Sequence, residues 1–268
     1  MPYLNKSIFY FIIVLTYGLG MQAAWADMDR QQARELEDQA YDGDPSALQT
    51  LQQAANQKNA TAEEWLGVYF MDKKDYPDSF TWNQKSANQG NAYGEANLGY
   101  MYHNGLGVSK DDVQAVSWYQ KAAEQDNALA EYDLGWMYEK GYGVSQDYAR
   151  AMSLYQKAAA NGYYLAPANI GNLYYKGRGM TKDYNQAFTW YQKGASLGDN
   201  YAEWAVAYAY EKGQGVTQSD DEALQWYEKA ADNGNTDAMH RLVDAYQNGE
   251  LGLKVDMDKA AYWFEQAN

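Results

Sequence analysis

Few residues in this chain could carry chemistry. There are two histidines, His103 and His240, and no cysteine among 268 residues. A paired-histidine metal site or a proton relay needs the two rings in contact. His103 and His240 lie in different copies of a repeated unit, too far apart along a stack to meet. The place of His103 is held in other copies by Glu139, Tyr175, Glu211 and Gln247, which reads as a solvated helix face. His240 aligns with Ala96, Tyr132, Ala168 and Trp204, read as a surface-facing row. The acidic pairs Asp111-Asp112 and Asp220-Asp221 lack the alternating oxygens and distal Glu of a calcium loop, and read as acids at helix N-termini. The Gly-x-Gly pairs follow helices and not strands, so they are turns and not dinucleotide fingerprints, and no Gly-x-x-x-x-Gly-Lys phosphate loop is present. The expectation is a non-enzymatic chain with no metal and no cofactor.

The elements that would position these residues recur. Gly90, Asp126, Gly162, Gly198 and Gly234 are each 36 residues apart, and Ala115, Ala151, Ala187 and Ala223 keep the same register. Each unit reads as two helices, a front helix over about 91–103 and a back helix over about 111–124 in the first full copy. The glycine-containing loop Gly105-Leu106-Gly107-Val108 closes the pair, because a tight helix exit needs a positive φ that glycine adopts cheaply. Asp111, Asp147, Asp183, Ser219 and Asp256 stand where back helices begin, as N-caps worth about 1 kcal/mol each. Ser219 with Glu222 and Asp183 with Gln186 have capping-box spacing. Pro167 replaces the Glu of other copies and predicts a front helix that starts about a turn late. The Trp, Tyr and Leu rows are read as filling the gap between paired helices, so that Trp118→Ala would cost about 3–5 kcal/mol.

The expected organisation is a signal peptide over 1–26, two helices capping a solenoid over 27–60, a trimmed repeat over 61–89 without the Gly-x-Gly loop, and five repeats at 90–125, 126–161, 162–197, 198–233 and 234–268. Lys6, the apolar run 8–19 and Ala24-Trp25-Ala26 carry the signal-peptide reading, with cleavage before Asp27 and a periplasmic or secreted protein with no stable membrane insertion as the consequence. Without cysteine, stability must come from packing alone. The formal charge is −15, with 21 basic and 36 acidic residues. That disfavours nucleic acid and anionic membranes. It suits a basic partner, or serves only to keep an aromatic surface soluble, and the sequence leaves both readings open.

Leu98-Gly99-Tyr100-Met101-Tyr102 through Ala122-Ala123, and Leu134-Gly135-Trp136-Met137-Tyr138 through Ala158-Ala159, resemble the Sel1-like repeat, a relative of the tetratricopeptide repeat. The resemblance runs over about 61–267. It implies an all-α solenoid of stacked antiparallel helix pairs in a right-handed superhelix, acting as an adaptor or scaffold in protein complexes. Some cysteine-rich members are linked to β-lactam binding, an activity not carried over to a chain without cysteine. In tetratricopeptide relatives, five places on the front helix line a concave groove. By register they give Tyr93, Tyr100 and His103, then Tyr132, Trp136 and Glu139, then Tyr175. In the last two repeats they give Tyr201, Trp204, Tyr208 and Glu211, then His240 and Asp244. The aromatic members either grip a protein or peptide segment or pack between adjacent front helices. An immunity-type inhibitor of a toxic effector is the second functional expectation. A cell-wall or β-lactam hydrolase is the third, for which no catalytic set is visible.

Overall fold

A computed structural model describes residues 28–267, so the signal peptide expected over 1–26 lies outside the described residues. Every helix or strand among those residues is an α-helix. Two helices lead, α1 (Arg30–Tyr41) and α2 (Pro45–Asn56). Six front and back pairs follow: α3 (Ala60–Asp72) with α4 (Tyr76–Asn88), α5 (Ala92–Asn104) with α6 (Asp112–Ala123), and α7 (Ala128–Lys140) with α8 (Tyr148–Ala160). Then come α9 (Ala166–Lys176) with α10 (Tyr184–Ser196), α11 (Asn200–Lys212) with α12 (Asp220–Asp232), and α13 (Thr236–Asn248) with α14 (Met257–Ala267). The described residues divide into two compact units, one ending at Asn127 and the other beginning at Ala128. Within each unit the helices of a pair pack mainly on each other, and each back helix then packs on the next front helix, which is the arrangement of an α-solenoid.

The loop does two jobs. Its first glycine ends the front helix in the left-handed region, with φ of 70° at Gly105 and 63° at Gly213. The next amide turns back onto the helix, as in Gln214 N–H to the Ala209 carbonyl at 2.9 Å. The second glycine has a different task. A Cβ on Gly107 or Gly215 would collide with the backbone carbonyl of Tyr76 or Tyr184, at the start of the preceding back helix. Successive repeats therefore touch through this glycine, a role the turn reading did not include. In the trimmed repeat Lys74 takes the positive φ, at 61°, and Asp75 caps α4 at once.

The caps fall where expected. Asp111, Asp147 and Asp183 each accept two first-turn amides, and Asp256 accepts from Lys259 N–H at 3.0 Å. Ser219 accepts from Glu222 N–H at 3.3 Å. Among the described residues the box that closes both ways is Asp29 with Gln32, not the two expected pairs. Asp183 already takes both amides alone, and the Gln186 side chain stays at the surface. Pro167 shortens α9 to 11 residues against 13 in α7 and α11, so the delay is about half a turn rather than a whole one.

Of the rows expected in the core, the Tyr and Leu rows are buried and Trp118 is not. Gly99, Gly135 and Gly171 leave room for Tyr119, Tyr155 and Tyr191, whose ring atoms lie 2.7, 3.0 and 2.6 Å from where a Cβ would stand. These tyrosines are 3%, 0% and 5% exposed. Trp118 is half-buried beside them, with Lys121 Nζ 3.7 Å over its ring. One residue of rotation, about 100° on a helix, turns the Tyr toward the front helix and leaves the Trp at the edge under a lysine stem. The expected cost of Trp118→Ala accordingly falls to about 1–2 kcal/mol. A second recurring tie was not read from the sequence. Glu63, Glu95, Glu131 and Glu203 accept from Gln89, Gln125, Asn161 and Asn233 at the ends of their own back helices, at 2.6–2.9 Å. The α9–α10 pair has Pro167 and Leu197 at these places instead.

At the N-terminal end Glu37 of α1 is 4% exposed, and its Oε1 has no hydrogen-bond partner. Burial, and then the nearby Asp72 and Asp38, push its carboxyl up to about 7. A carboxyl whose pKa is raised by folding destabilises the fold when ionised. The penalty is full above about pH 7 and is relieved as the pH falls toward the unfolded value near 4.5. Glu37→Gln is expected to stabilise the chain by about 2 kcal/mol at pH 8 and to have little effect at pH 5. Urea unfolding at the two pH values checks this; equal effects at both would refute it.

Candidate functional site

In the first unit the predicted residues Tyr93 and Tyr100 on α5 are 45% and 48% exposed. Arg30 of α1 lays its guanidinium 3.3 Å from the centre of the Tyr93 ring and 5.0 Å from Trp65, while pairing with Glu64 at 2.6 Å. Tyr93 is thus already stacked by the chain's own N-terminal helix. His103 is half-buried, with Nδ1 2.7 Å from Asp112 Oδ1.

The position of His103 is not a solvated face. In the second unit its counterparts Glu139 and Glu211 sit against their own back helix, where a tyrosine hydroxyl arrives and needs an acceptor. Tyr155 donates to Glu139 at 3.0 Å, and Tyr227 to Glu211 at 2.8 Å. A cation from the next repeat completes each: Arg178 to Glu139 at 2.7 Å and Arg241 to Glu211 at 3.0 Å. Lys140 and Lys212 add 3.1 and 2.6 Å contacts. Burial alone would raise the Glu211 carboxyl, but hydrogen bonds from Arg241, Lys212 and Tyr227 hold it below the usual range. Burial and the adjacent Glu139 push the Tyr155 hydroxyl far up, so it stays a neutral donor. Both acids are engaged internally and tie successive repeats together.

The row expected to face the surface is mostly covered. Ala96 and Ala168 are 2% and 3% exposed. Tyr132 and Trp204 are half-buried, and only His240 is open. The row faces the next front helix: Ala168 packs with Ala202 and Ala205 of α11, and Trp204 packs on the cluster around α13. His240 and Asp244 lie on α13, the last front helix described, and are exposed for that reason.

The aromatic residues of the second unit gather in two places. Tyr132 packs on Tyr155 and Tyr163, with ring centres 5.5 and 4.7 Å away, and Trp136 lies 5.1 Å from Tyr142. Farther along, Tyr201, Trp204 and Tyr208 stack in sequence at 5.6 and 5.5 Å, with interplanar angles of 29° and 21°. They stack because positions 201, 204 and 208 follow helical spacing along one face of α11. Tyr175 of α9 lies opposite, 5.4 Å from Tyr184. Between these rings is a cavity of about 310 Å³, floored by Ala187, Ala205 and Ala209. Asn172 fixes one wall by accepting from Tyr191 and Tyr201 hydroxyls at 2.8 and 2.9 Å.

Sequence reasoning missed the residue between the two loop glycines. Tyr142, Arg178 and Gln214 all occupy it. They reach, in turn, Trp136, Glu139 and the cavity. The signal was available: this position changes from Leu106 to Tyr142 to Arg178 to Gln214 while both flanking glycines stay.

Helix pairs joined by a Gly-x-Gly turn, with tyrosines set into facing glycines, define a helical-repeat solenoid of the tetratricopeptide-like class. A family model described as Sel1 repeat matches residues 60–91, 92–127, 128–163, 165–199, 200–235 and 236–268. The chain belongs to the Sel1 repeat family, whose members are protein-interaction scaffolds and in general not enzymes. A solved Sel1 repeat protein from Oxalobacter formigenes is 37% identical, with a TM-score of 0.81 over 89% of this chain and 96% of that one. Two immunity proteins from Pseudomonas aeruginosa share the fold at 22% and 18% identity, with TM-scores of 0.52 and 0.55. They cover 72% and 75% of this chain, and 73% and 80% of theirs. No curated protein matches. No described helix is long and apolar enough to cross a membrane.

Proposed function

We propose that the chain is an exported, non-enzymatic scaffold that binds a protein or peptide segment on the front-helix face of its second unit. One observation carries this reading. Tyr201, Trp204 and Tyr208 form a half-buried stack along one wall of the cavity between α9, α10 and α11. Tyr and Trp are favoured anchors because they bury large area with few rotatable bonds. Trp136 with Tyr142 extends the same kind of surface. His240 and Asp244 offer a polar margin on α13. The net charge of −15 favours a segment with basic residues flanking its anchor and disfavours nucleic acid. An immunity-type inhibitor is a narrower form of the same reading, in which the partner is a toxic effector.

Capture of partners from the host's exported fraction tests the proposal. Wild-type chain is compared with Trp136→Ala plus Trp204→Ala. The wild type is expected to retain a protein that the double variant loses, and retention by both would end the reading. The mass spectrum of the recovered chain also reports whether it starts at Asp27. Rescue from a captured toxin singles out the immunity form.

A further inference from the structure

The first unit carries a buried acid that the repeat does not require. With Gly67 in register with Gly99, Glu63 falls on Glu95 and makes the recurring tie, to Gln89 at 2.6 Å. Glu64 falls instead in the row held elsewhere by Ala96, Tyr132, Ala168, Trp204 and His240. Its side chain is 3% exposed and forms a bidentate pair with Arg30 of α1, Nη1 to Oε2 at 2.6 Å and Nη2 to Oε1 at 3.3 Å. Trp65 and Tyr93 complete a seat of one carboxylate and two rings. That set matches a guanidinium, whose fork pairs with a carboxylate while its flat face lies on a ring. The helix that fills the seat is thinly held. Its buried residues are Ala33, Glu37 and Ala40, and Glu37 Oε1 has no hydrogen-bond partner. At its far end Lys73 Nζ donates to the Tyr41 carbonyl at 3.1 Å and lies 4.0 Å from the centre of its ring. An open cleft beside α1 reaches Arg30 and Trp65, with Glu35, Asp38 and Arg34 along it.

We propose that Glu64, Trp65 and Tyr93 form a binding site for an arginine side chain of a partner protein, and that Arg30 holds the site in cis until that arginine replaces it. The proposal does not depend on the reading of the second unit's aromatic face. Glu64 is covered by Arg30 itself, whose side chain is 39% exposed, so an incoming guanidinium takes over contacts that already exist. Arg30 is the first residue of α1, and its side chain leaves the seat without unwinding the helix. The thin hold on α1 lets the helix give way to the backbone that brings the arginine. A neutral side chain would leave the buried carboxylate alone. A lysine reaches it as a point charge and loses both the fork and the flat stacking. The net charge of −15 draws basic partners toward the chain.

The probes are the Nα-acetyl amides of arginine and lysine, titrated into the full chain by ligand-observed NMR. Arg30→Ala empties the seat, and arginine amide is expected to bind this variant with a dissociation constant on the order of millimolar. The wild type is expected to bind at least about tenfold more weakly, because only the fraction with Arg30 withdrawn accepts the probe. Lysine amide should bind the variant more weakly than arginine amide, and adding Glu64→Gln should remove the binding. Arginine amide should also raise the melting temperature of Arg30→Ala. If Arg30→Ala does not fold, Arg30→Lys keeps Glu64 paired and is expected to bind arginine amide better than the wild type does. In the wild type, amide exchange along α1 should quicken as arginine amide approaches saturation. Equal binding by wild type and Arg30→Ala, or binding that survives Glu64→Gln, places the arginine elsewhere and overturns the site. A folded Arg30→Ala chain that takes up no arginine shows Arg30 to be a structural tie only, and overturns it as well. Unchanged exchange in α1 at saturation overturns the exchange with Arg30.

Discussion

Tyr155→Ala is expected to lower the unfolding free energy by about 4–6 kcal/mol. Two losses combine. Tyr155 is 0% exposed, and its ring fills the space left by Gly135, so truncation opens a cavity between α7 and α8. Its hydroxyl donates to Glu139, which is 7% exposed and would lose one of its donors. Tyr155→Phe keeps the ring and isolates the second loss, expected at about 1–2 kcal/mol. Urea unfolding followed by circular dichroism measures both. Trp118→Ala, at about 1–2 kcal/mol, is the contrast: an equal or larger cost for Trp118 would mean the wrong ring of each Trp-Tyr pair has been placed in the core.

Gly215→Ala is expected to cost about 3–5 kcal/mol. A left-handed residue at φ 77° penalises any Cβ. Here the Cβ also collides with the backbone carbonyl of Tyr184, where only a shift of the whole helix start makes room. Gly213→Ala carries the φ penalty alone, because its nearest neighbour is the Gln218 side chain at 3.3 Å, and about 1–2 kcal/mol is expected. Amide exchange localises the difference, since the first turn of α10 should lose protection in the Gly215 variant and keep it in the Gly213 variant. Equal costs would show that the second glycine is only a turn residue.

Much of the frame was legible in the sequence because the repeat multiplies weak signals. One Gly-x-Gly or one Asp before a helix means little, but the same residues 36 apart place helices to within a residue or two. What the period cannot report is which of two adjacent rings turns inward. Trp118 and Tyr119 recur together, and the glycine across the pair decides between them. Nor does it show that a conspicuous acid is already satisfied. Glu139 and Glu211 look like open groove acids until Arg178 and Arg241 arrive from the next repeat. The candidate face was half legible. Front-helix register gave Tyr175, Tyr201, Trp204 and Tyr208, and the cavity they share needed the alanine floor and Gln214, which only packing brings there.

The most direct test is the dissociation constant of a captured partner against two double variants. One is Trp204→Ala with Tyr208→Ala on the front helix α11; the other is Trp190→Ala with Trp226→Ala on the back helices α10 and α12. Loss of about a hundredfold or more in affinity for the first, and a change within about threefold for the second, is the predicted result. Equal losses, or a loss confined to the back-helix pair, would contradict the assignment of binding to the front-helix face.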